Sequence, residues 1–109
     1  MNEKKSTDYY IDMPEGITKK QVMAVVARAA EAAGLYISHI GGYSRNKYPG
    51  SVHWHFKRNK TERGIIDATF WDIKSLFWLM VQNRNAPWVK AMVPRLRKEL
   101  KREFDSLAS

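Results

Sequence analysis

The chain has 109 residues, 44% of them hydrophobic and 28% charged, and no cysteine. That length suits one domain with its own core, and the lack of thiols excludes disulfides and thiolate metal sites, in keeping with a reducing compartment. Nineteen Lys and Arg against eleven Asp and Glu give a net charge of +8, which favours approach to nucleic acid, acidic proteins or anionic surfaces.

Residues 1–8 are polar, with lysines but no apolar stretch behind them, so they read as a flexible tail rather than a secretory signal. Tyr9 to Met13 then reads as a short strand, closed by a turn at Pro14, Glu15 and Gly16. Thr18 and Gln21 have capping-box spacing, which starts a helix. Val22, Val25, Val26, Ala29, Ala30 and Ala33 recur at helical spacing, and Gly34 suits a left-handed end. The small Ala-rich face predicts close packing on a sheet.

Tyr36 to Ile40 is a second expected strand, interrupted at Gly41-Gly42 by a bulge or turn. A loop follows to Gly50. Ser51 to Lys57 alternates strictly, with Val52, Trp54 and Phe56 on one face and His53 and His55 on the other. A charged hairpin loop leads into a strand from Ile65 to Trp71, which sets Ile66, Ala68 and Phe70 against Asp67, Thr69 and Trp71. Leu76 to Val81 is apolar on both faces and favours a buried strand, although periodicity alone also admits a short helix. A last helix carries the stripe Val89, Met92, Val93, Leu96, Leu100, Phe104 and Leu107, with Pro94 either kinking it or starting a second helix. The expected fold is therefore α+β: an antiparallel sheet of three to five strands, two helices on one face, and a single domain over 1–109. The longest apolar run is far short of the about 20 residues that a spanning helix needs, so no membrane insertion is expected and the cytoplasm is the expected location.

Three sets of residues suggest function. The first is basic and aromatic: Arg45, Lys47, Lys57, Arg58, Lys60 and Arg63 stand against Glu62 alone within 45–63, with Tyr43 and Tyr48 beside them. Such loops hold phosphates and stack bases, so DNA or RNA is the leading expected partner. No RNA-recognition octamer or helix-turn-helix spacing accompanies them. The second set is Trp71, Phe77, Trp78 and Leu79, expected on a sheet face that the helices leave bare and suited to a homodimer or another protein partner. The third is His53-x-His55, whose imidazoles share one strand face about 7 Å apart. An even hairpin register brings Asp67 to the same face, a ligand set for zinc or iron; a one-residue slip removes it. A further ligand, His39, would have to come from the second strand. A plain cross-strand His–Asp pair is the structural alternative. No nucleophile elbow, phosphate loop or dinucleotide glycine pattern is present, so the sequence supports no enzyme class and no organic cofactor.

Overall fold

A computed structural model describes residues 5–42 and 47–107. The order of elements is β1 (Ser6–Tyr10), α1 (Lys19–Ala32), β2 (Tyr36–Gly42), β3 (Val52–Lys57), β4 (Ile66–Trp71), a 3₁₀ turn (Asp72–Lys74), β5 (Leu76–Gln82) and α2 (Pro87–Leu107). The five strands form one antiparallel sheet in the order β1-β5-β4-β3-β2. It is the expected α+β architecture, with β2 to β5 a continuous meander and β1 added along the free edge of β5.

Alternation in β3 and β4 decides which face closes. Trp54, Phe56, Ile66, Ala68, Phe70, Phe77 and Leu79 are each 0–1% exposed and lie in one core with the helices. The Ala-rich side of α1 and the stripe Val89, Val93, Leu96, Leu100 and Phe104 of α2 complete it. Thr18 and Gln21 form the capping box, each side chain meeting the other's backbone N–H. The far end of α1 closes through Gly34 at φ +76°, a conformation that glycine adopts without a Cβ penalty. Arg95 Nη2 donates to the Ala32 carbonyl at 2.9 Å, tying α2 to an orphan acceptor at that end.

The elements depart from the sequence expectation in two places and resolve two alternatives that it left open. β1 starts at Ser6, so residues 6–8, expected in a tail, belong to the sheet; residues 1–4 lie outside the described residues. Ladder hydrogen bonds at a sheet edge need only backbone, so the polar Ser6, Thr7 and Asp8 pair with Gln82, Val81 and Met80. β2 continues through Gly41-Gly42, and its bulge falls earlier, between Ile37 and His39. The segment from Leu76 is the buried strand that its composition favours: Phe77, Leu79 and Val81 lie in the core, and on the other side Trp78 is shielded by the rings of Tyr10 and Tyr48. Finally, α2 runs through Pro94 as one helix. The proline lacks the N–H for one ladder bond, but it sits on the exposed side while Val93 and Leu96 anchor the helix in the core. No helix among the described residues is long and apolar enough to cross a membrane.

Candidate metal centre

The β3–β4 register places His55 opposite Asp67 and His53 opposite Thr69. Directly opposed residues share a face, so all four side chains stand on the side away from the helices. His53 Nε2 lies 3.1 Å from Asp67 Oδ1, His55 Nε2 lies 3.0 Å from the same oxygen, and the two Nε2 atoms are 3.1 Å apart. On its other side, His53 Nδ1 is 3.0 Å from Thr69 Oγ1.

Hydrogen bonds alone serve this triangle poorly. If both imidazoles donate from Nε2 to Asp67, their N–H groups crowd each other at 3.1 Å. If only one carries the proton there, the other presents its lone pair to a carboxylate at 3.0–3.1 Å. A cation inside the triangle satisfies all three atoms. A triangle of this edge has its centre about 1.8 Å from each corner, so an ion at zinc–imidazole distances of about 2.1 Å stands about 1.1 Å above the plane. Ligands at right angles around such an ion are about 3.0 Å apart, against about 3.4 Å in a tetrahedron; the spacing of 3.0–3.1 Å is nearer the first.

The surroundings of His55 suit a neutral imidazole. Burial, reinforced by His53 and His39, holds the His55 pKa below its ordinary value against the pull of Asp67, which leaves its lone pair available. With Nε2 as the ligand atom, the His53 proton resides on Nδ1 and is donated to Thr69 Oγ1, an outer contact that fixes the tautomer and the ring. Thr69 is 1% exposed and Asp67 8% exposed. Among the described residues no Lys or Arg pairs with Asp67. A cleft of about 300 Å³ opens beside His55 and Asp67, lined further by Gly64, Ile65, Gln82 and Asn85. Asn85 holds its wall by accepting from the Ile65 N–H and donating to the Ile65 carbonyl.

The structure gathers the three metal-candidate residues and separates the others. Tyr43 and Arg45 lie outside the described residues. Lys47 and Tyr48 precede β3, whereas Arg58, Lys60 and Arg63 follow it, so about 17 Å of strand stands between the two loops. Lys57 ends β3 opposite Tyr36. Arg58 pairs with Glu62 and lies over the Trp88 ring, while the Arg63 carbonyl accepts from Trp88 Nε1. Tyr48 is edge-on to both Trp71 and Trp78, with ring centroids 5.0 Å apart in each case. Of the four expected interface residues, Phe77 and Leu79 point into the helix-covered core, because they alternate with Trp78. Trp71 and Trp78 share the other face, and Trp78 is already only 4% exposed beneath Tyr48 and Tyr10. Sequence reasoning missed the contact of Thr69 with His53; the register that sets 55 against 67 also sets 53 against 69, so the signal was present.

No protein-family model, curated protein or solved structure matches this chain.

Proposed function

We propose that this protein binds a divalent first-row transition metal ion through His53 Nε2, His55 Nε2 and Asp67 Oδ1. The observation that supports this reading is the convergence of two imidazole nitrogens and one carboxylate oxygen at 3.0–3.1 Å from one another. Imidazole ligands select zinc, iron, cobalt, nickel or copper over magnesium and calcium. Three protein ligands leave at least one position for water, and an ion such as zinc lowers the pKa of a bound water to about 7. The cleft at Asp67 and His55 gives that position room for a small ligand.

The test is titration of the untagged, metal-stripped protein with Zn(II) or Co(II), followed by calorimetry and thermal unfolding. One equivalent is expected to bind and to raise the melting temperature, since a ligand of the folded state alone stabilises it. His53→Ala and Asp67→Ala are each expected to abolish the effect while the far-UV spectrum is retained. Wild-type binding no tighter than that of these variants removes the proposal.

A further inference from the structure

His39 stands beside this ligand set because of two local features of β2. In an unbroken strand Ile37 and His39 point to the same side, and Ile37 pairs with Phe56 on the core face. The register shift between Ile37 and His39 inserts one residue, Ser38, whose hydroxyl donates to the His55 carbonyl. His39 is thereby turned to the opposite face, directly across from His55, with ring centroids 5.1 Å apart. Bulges re-aim side chains in this way beside functional sites. The second feature is Gly41, which pairs with His53. A Cβ at position 41 would lie 2.9 Å from His39 Nε2 and 3.3 Å from its Cε1. The imidazole therefore occupies space that only glycine leaves, with Nε2 hanging over the backbone opposite His53.

We infer that His39 is the fourth protein ligand, so that the centre binds its ion with three imidazoles and one carboxylate; this rests on the metal-binding reading above. His39 is exposed and stands outside the cluster of three ligand atoms that lie within 4.8 Å of one another, so its ring joins them by turning from its place over Gly41. It approaches from β2, while the cleft lies on the opposite side, along β4, the end of β5 and the turn before α2. A fourth ligand from β2 therefore keeps the cleft side of a six-coordinate ion open for water or substrate. In a regular β2 the histidine would be sent under the helices, and with any other residue at 41 its ring would be displaced.

The experiment compares wild type, His39→Ala, Gly41→Val and His53→Ala for Zn(II) affinity by competition, and for nitrogen ligands to Cu(II) by pulsed electron paramagnetic resonance. Wild type is expected to show three imidazole nitrogens. His39→Ala is expected to show two, with Zn(II) affinity lower by about 10–100-fold, at least the effect of losing an outer-shell partner. Gly41→Val, which keeps every ligand but crowds the His39 ring, is expected to fall in the same direction. Unchanged affinity and nitrogen count in His39→Ala would show a three-residue centre with His39 a bystander, overturning this inference and leaving the site intact. Failure of wild type to bind either ion overturns the metal-binding reading, and this inference with it.

Discussion

On one side of β3, Val52, Trp54 and Phe56 lie under two helices; on the other, among the described residues, His53 and His55 lie under no helix or strand. Yet Thr69, Asp67 and Trp78, all on the uncovered side, are 1%, 8% and 4% exposed. The covered side excludes water by packing apolar side chains against α1 and α2. The uncovered side excludes it with its own side chains: Tyr10 and Tyr48 over the tryptophans, and imidazoles against the carboxylate and hydroxyl. The first arrangement supplies stability. The second keeps polar atoms dry but close to solvent, where an ion can reach them.

The largest expected effect is on the covered side. Phe56→Ala leaves a cavity among fully buried neighbours and is expected to cost about 3–5 kcal/mol of unfolding free energy, measured by denaturant unfolding. On the other side, Tyr48→Ala removes two edge-on ring contacts and is expected to cost about 1–3 kcal/mol, since such a pair contributes about 0.5–1.5 kcal/mol beyond its buried area. The same variant should red-shift tryptophan emission as Trp78 becomes wet. Equal losses from the two variants would mean that the uncovered side is a second core.

Asp67→Asn sharpens the contrast. Among the described residues its carboxylate pairs with imidazoles and with no Lys or Arg. Removing the charge relieves a desolvation cost and weakens two hydrogen bonds, and these effects oppose each other. Stability of the metal-free protein is expected to change by no more than about 1 kcal/mol, a typical surface-scale effect. Zn(II) affinity is expected to fall by about 100-fold or more, because even outer-shell changes cost about 10–100-fold. A variant that unfolds and binds zinc normally would invert the division between the faces.

Much of this was legible in the sequence, for reasons that differ by element. Strict alternation in 51–57 and 65–71 specifies both faces of β3 and β4 and reduces the register to two even choices, one of which brings His55 to Asp67. The capping box of α1 is a local pattern and reads directly. The bulge before His39 is different. It depends on the pairing of β2 with β3, and nothing in Ile37-Ser38-His39 marks it, so the Gly pair attracted the assignment instead. The cover over Trp78 was illegible for a related reason: it comes from Tyr48 in a loop and Tyr10 at the sheet's far edge. Short-range patterns report which face a residue takes, and long-range pairing decides what lies above it.

The smallest effect separates the faces by pH. The folded pKa of His55 lies below 6.5, first because of burial and then because of His53 and His39, with Asp67 opposing. An unfolded chain therefore takes up this proton before the folded one does. The stability that His55 contributes is complete above pH 6.5 and is lost as pH falls through the folded value. Denaturant midpoints of the metal-free protein are expected to decline through that window, and His55→Gln, which keeps a polar side chain without the titration, is expected to flatten the decline. Bound zinc should steepen it, because protons then compete with the ion for the same nitrogens. A decline that survives His55→Gln unchanged would place the acid sensitivity elsewhere and leave the uncovered side without a part in it.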